Sequence, residues 1–166
     1  MKRHHRRIPT AACERDSSPA KRRVLTVPLV PEAVRHARRD TAMALSEYAI
    51  PTNSSFAGAV LLVVSELVTN AVRHAADRSP TAVVTIAVGG GQLVVGVADQ
   101  DPRLPDVSPD MTGEGLRTVA GLAAAYDGTL SVEPATHGCG KVVLAGFRIP
   151  DDFGPFTGRR VGVRTL

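Results

Sequence analysis

The sequence predicts an α+β domain: a two-layer sandwich in which helices pack on one face of a mixed β-sheet. Three observations carry this. The hydrophobic periodicity changes along the chain in the order β-α-α-β-β-lid-α-β-β, which suggests helices packed on one face of one sheet. At 166 residues the chain has the size of one domain, and no internal repeat divides it. Hydrophobic residues make up 43% and aromatics 4%, so a single core of aliphatic side chains is expected.

Residues 1–21 are polar, basic and aperiodic, and are expected to form a disordered arm ahead of a domain at 22–149 and a tail at 150–166. Arg22 to Leu29 reads as a short strand, cut off by Pro28 and Pro31 and therefore placed at a sheet edge. Pro31 opens an amphipathic helix to about Tyr48, with Val34, Ala37, Thr41, Ala44, Leu45 and Tyr48 along one stripe. After the turn at Pro51–Ser54, a longer helix runs from about Ser55 to Ala76. Val83–Val88 and Leu93–Ala98 are β-branched runs separated by three glycines, the pattern of a hairpin. Residues 99–112 hold three prolines among polar residues and read as a long loop or lid. Gly115–Ala125 is helical in pattern, and Thr129–Val132 and Val142–Ile149 are strands.

Charge and cysteine usage exclude several classes. The positive charge is concentrated at the N-terminal end: residues 1–23 carry +6 against a net charge of +4, so the remainder is about −2 and is no basic body. With so few aromatic faces for base stacking, direct nucleic-acid binding is not expected. Cys13 and Cys139 form no CxxC motif and no disulfide framework, which fits a reducing compartment. No apolar h-region follows the basic N-terminus, and the most apolar stretch, Phe56–Val72, carries Glu66 near its middle. The expectation is a cytoplasmic protein without a membrane span.

The long helix carries the chemical signal. Advancing 100° per residue from Val64 places Ala57, Val60, Leu61, Leu67, Val68, Ala71 and Ala75 on one core face. Glu66, Asn70 and His74 then fall at about 200°, 240° and 280°, one polar row on the far side. Ala59 and Val63 share that far side, so the pattern suits a helix buried on both sides with its polar row facing a cavity. A carboxylate and an amide oxygen four residues apart address one small site, where the amide suits a hard cation and the carboxylate a proton.

Two further features join this row. Asp99 ends an apolar strand, where a carboxylate needs a donor; an adenine amino group is one, and Gly96 would permit close backbone approach. Thr112–Gly113–Glu114–Gly115–Leu116 opens a helix, where glycines and free N–H groups accept phosphate oxygens. The Walker lysine pattern is absent, and the glycines do not follow the first strand as in dinucleotide folds.

Taken together, Glu66-x-x-x-Asn70, Asp99 and Gly113-x-Gly115-Leu116 make the chain resemble the histidine-kinase-like (GHKL, Bergerat-fold) ATPase family. Ser65–Ala75 is similar to its small bacterial branch of anti-sigma-factor serine-protein kinases, and the resemblance spans about Val24 to Ile149. No phosphoacceptor-histidine helix pair precedes the domain in this sequence, which favours that branch over sensor kinases.

The resemblance implies ATP and Mg2+ as cofactors. Glu66 would be the catalytic base and Asn70 the metal ligand. Arg73, His74, Asp99, Gly113, Gly115, Leu116 and Val142 would bind the nucleotide. It further implies a sigma factor and an anti-anti-sigma (STAS-like) protein as partners, and homodimerisation. Whether the chain transfers phosphate, or only sequesters a regulator when ATP is bound, stays open at this level. Three departures bear on the adenine pocket. Asp101 and Arg103 stand where relatives have glycines, Val142 stands where they have a threonine, and Asp101 would repel phosphate unless turned to solvent.

Overall fold

The structure, a computed structural model, describes residues 21–106, 113–135 and 139–153. The expected arm before residue 21, the second half of the lid and the tail beyond 153 lie outside the described residues. The elements run β1 (Lys21–Pro28), α1 (Ala33–Glu47), α2 (Ser55–His74), β2 (Thr81–Gly89), β3 (Gln92–Asp99), α3 (Glu114–Ala125), β4 (Leu130–Pro134) and β5 (Lys141–Arg148). Every expected element is present within a few residues of its expected bounds. At the two ends of the described fold, β1 already includes Lys21 and a short 3-10 turn at Asp151–Phe153 follows β5.

The five strands form one sheet in the order β1-β2-β3-β5-β4, and all four pairings are antiparallel. The expected mixed sheet is corrected in this respect. Two helices link β1 to β2, and an even number of helices returns the chain to the end it left, so these neighbours run in opposite directions. The single helix α3 does carry β3 into a β4 of like direction, but β5 inserts between them and is antiparallel to both.

Alternation decides which side chains face the helices. Val84, Val97, Val143 and Val132 form one cross-strand row, and Ile86, Val95, Ala145 and Leu130 another. Helices cover these rows, with the apolar face of α2 central: nine of its residues are buried, Ala59 and Val63 among them. By length and composition α2 is also the one described helix able to cross a bilayer, but half of it is buried inside the fold, as a core helix would be. Ser54 caps α2, its Oγ accepting the Ala57 N–H at 3.1 Å. At the end of the core away from Asp99, Phe56 packs edge-on to Tyr126, Phe147 and Phe153 with centroids 5.0, 6.1 and 6.0 Å away. The chain after Ile149 is thus part of the core at least as far as Phe153.

Candidate functional site

A cavity of about 440 Å³ opens between α2, the start of α3 and the ends of β3 and β5, within the usual range for small-molecule sites. Asn70 and His74 line it from α2, Asp99 from β3, Gly113, Gly115 and Leu116 from α3, and Lys141 and Val143 from β5. Asp101, Arg103, Leu104, Pro105 and Asp106, from the first half of the lid, form a further wall.

Glu66 joins the site through α3. A Cβ added at Gly115 would lie 2.8 Å from Glu66 Oε2 and 3.5 Å from Asn70 Oδ1, so both side chains point at the first turn of α3. Of the polar row on α2, Asn70 and His74 line the cavity, while Glu66 lies against the first turn of α3, outside that lining. Gly113 is the extended residue before α3, and no side chain caps the helix there. The first N–H groups of α3 have no partner within their helix and stand at the cavity edge with the positive end of the helix dipole.

At the other end of the cavity, strand register builds an ion pair. The alignment that sets Val97 against Val143 also sets Asp99 against Lys141. Lys141 Nζ donates to Asp99 Oδ1 at 2.9 Å and to the Asp101 carbonyl at 3.2 Å, with both side chains at least nine-tenths buried. Asp99 Oδ1 also accepts the Asp101 N–H at 2.9 Å. Among the described residues the hydrogen bonds of Asp99 all fall on Oδ1, none on Oδ2, and no buried side-chain polar atom is left unsatisfied. That second oxygen is therefore open to the cavity. Gly140 has φ +140°, and a Cβ there would collide with the Asp99 carbonyl; only glycine lets β5 start so close to the end of β3.

The lid residues that departed from the expected pattern pair with each other. Arg103 grips the Asp101 carboxylate through Nε at 2.9 Å and Nη2 at 2.6 Å, and its Nη2 also donates to the His74 carbonyl at 2.7 Å. Hydrogen bonding by this guanidinium holds the Asp101 carboxyl far below the ordinary carboxylate range, and the same bond raises Arg103. Asp101 does not point to solvent as the sequence reading required; it is buried, and Arg103 and the nearby Lys141 balance its charge. The clasp ties the lid to the C-terminal end of α2.

Not every expected site residue reaches the cavity. Val142 faces the opposite side of the sheet: with Leu144 it meets the position a Gly96 side chain would occupy, while its neighbours Lys141 and Val143 line the cavity. Strand alternation is the reason, and it moves Gly96 away from the cavity too. Arg73 is exposed on α2, outside the lining. Lys141 was not singled out as a site residue; the Gly140–Lys141 step before an apolar strand was its only signal.

No curated protein matches the chain. Among solved structures, the RsbU and RsbW domains of Rv1364c from Mycobacterium tuberculosis align at a TM-score of 0.54 with 22% identity, over 79% of this chain and 32% of that one. The blue-light activated histidine kinase EL346 from Erythrobacter litoralis aligns at 0.50 with 26% identity, over 75% of this chain and 43% of that one. The chain thus spans less than half of either protein. Residues 27–140, which include Glu66, Asn70, Asp99, Gly113 and Gly115, match the histidine kinase-like ATPase domain, and the chain belongs to that family.

Proposed function

We propose that this chain is an ATP- and Mg2+-binding regulatory protein of the cytoplasm. In this reading it acts as an anti-sigma-type serine-protein kinase on an anti-anti-sigma partner. The observation that carries the proposal is the convergence of Glu66 and Asn70 on Gly115 at one end of a cavity whose other end is Asp99. The similarity of Ser65–Ala75 to the anti-sigma serine-kinase branch is what favours this partner class.

The donor set fits the nucleotide. Asp99 Oδ2 offers an acceptor for a purine amino group, and Val97, Val143 and Leu116 supply apolar walls for a base. Gly113, Gly115 and the N-terminus of α3 suit phosphate oxygens. No cluster of three His, Cys, Asp or Glu forms a metal cage among the described residues. Asn70 would be the cation's protein ligand, its amide oxygen adding to the phosphates and water on which magnesium mainly rests. Bound ATP with its cation supplies the transferable phosphoryl group. Glu66, half-buried beside Asn70, accepts the proton of the partner's serine hydroxyl at Oε2.

Two variants test this with radioactive γ-labelled ATP and with calorimetry. Glu66→Gln is expected to lose phosphotransfer while binding Mg·ATP as tightly as the parent. Transfer at the parental rate would refute the base assignment, and absence of transfer by the parent to any candidate partner would leave sequestration as the function. Asn70→Ala is expected to weaken ATP binding only when magnesium is present; equal affinities with and without the cation would remove it from this site.

A further inference from the structure

The ion pair at the base end of the cavity raises the question of which base the cavity accepts. A carboxylate alone is selective there: it accepts the 6-amino N–H of adenine and repels the O6 carbonyl of guanine or hypoxanthine. Here the carboxylate is accompanied. Of the three N–H donors of Lys141, two go to Asp99 Oδ1 and the Asp101 carbonyl, and the Asp101 carboxylate at 3.9 Å is beyond hydrogen-bonding reach. Among the described residues one donor remains, on a side chain that lines the cavity beside the open Asp99 Oδ2.

Resting on the nucleotide reading above, we propose that Asp99 and Lys141 read the base edge together, so that the cavity takes 6-oxopurine nucleotides as well as ATP. With adenine, Asp99 Oδ2 accepts from N6 and Lys141 donates to N1. With guanine or hypoxanthine, Lys141 donates to O6 and Asp99 Oδ2 accepts from N1–H. Each purine edge offers one donor beside one acceptor, but in reversed order, so a 6-oxopurine meets the same two groups with its base turned over relative to adenine. The carbonyl gains more from the ammonium than the ring nitrogen does, because a charge-assisted hydrogen bond strengthens with the negative charge on its acceptor. Arg103 does not compete for this role, since its guanidinium is committed to Asp101 and the His74 carbonyl.

Calorimetric titration of the full chain with Mg·ATP, Mg·GTP and Mg·ITP tests the proposal. The expected result is binding of GTP and ITP within about tenfold of ATP, one charged hydrogen bond being worth roughly that factor. Lys141→Met is then expected to weaken GTP and ITP about 10- to 100-fold more than ATP. Lys141→Gln keeps an amide donor for Asp99 if the Met variant does not fold, and is expected to shift the ratio in the same direction. A parental preference for ATP beyond about a hundredfold would overturn the proposal, leaving Lys141 as no more than the counter-ion of Asp99. An unchanged ATP-to-GTP ratio in a folded Lys141 variant would also overturn it. ATP binding without GTP or ITP binding defeats this inference alone; binding of none of the three defeats the nucleotide reading with it.

Discussion

Gly115→Ala separates the site from the fold that holds it. The added methyl would lie 2.8 Å from Glu66 Oε2 and 3.5 and 3.6 Å from the Asn70 amide atoms. Only the end of a flexible side chain is too close, so the Glu66 carboxylate turns aside at a cost of about 0.5–1.5 kcal/mol. Replacing glycine within α3 returns about 0.5–1 kcal/mol of helix propensity. The two effects nearly cancel, and the melting temperature should move by less than about 3 °C. Ligand binding has no such offset. The methyl occupies the gap between the α2 polar row and the α3 N-terminus, where phosphate and cation would sit, and Mg·ATP affinity should fall at least about tenfold, or 1.4 kcal/mol. Thermal melting and calorimetry on the same preparation measure both terms. Wild-type affinity in a folded Gly115→Ala protein would show that no ligand uses this gap. A stability loss above about 3 kcal/mol would show that α2 and α3 cannot yield as the contact implies.

Other perturbations probe the supports of the site. Asp101 has a folded-state pKa below its unfolded value, so its contribution is present in full above the unfolded value of about 3.9 and is lost as pH falls toward the folded one. Asp101→Asn should therefore lower stability at neutral pH and flatten the loss of stability below about pH 4, measured by urea melts across pH; parallel profiles would contradict the clasp. Ala49, which follows α1, has φ +61°, so Ala49→Gly should add about 1 kcal/mol and raise the melting temperature by about 3 °C; a lower melting temperature would count against that backbone conformation. Phe56→Ala should cost about 3–5 kcal/mol by emptying the aromatic cluster, yet the folded fraction should bind Mg·ATP with wild-type affinity; weakened binding would mean the cluster and the cavity are coupled.

The polar row on α2 was legible because a helix reports its own faces: residues four apart share a side whatever packs against them. The family resemblance gave Val142 as a nucleotide-binding residue, but strand alternation places its neighbours Lys141 and Val143 in the cavity instead. The sequence reading also misjudged Asp101, whose charge could be weighed only once Arg103 was seen to fold back onto it. The lid sequence has no period from which that clasp could be inferred.

By itself, the sequence determined the order of the elements, the buried face of α2 and the row of Glu66, Asn70 and His74, because each follows from spacing over a few residues. Only the tertiary structure decided that every strand pairing is antiparallel, and that Lys141 neutralises Asp99 from 42 residues away. Those outcomes depend on strand order and register. A one-residue slip of β5 would turn Lys141 to the opposite face and leave Asp99 buried without its cation, and no local pattern near either residue encodes that alignment.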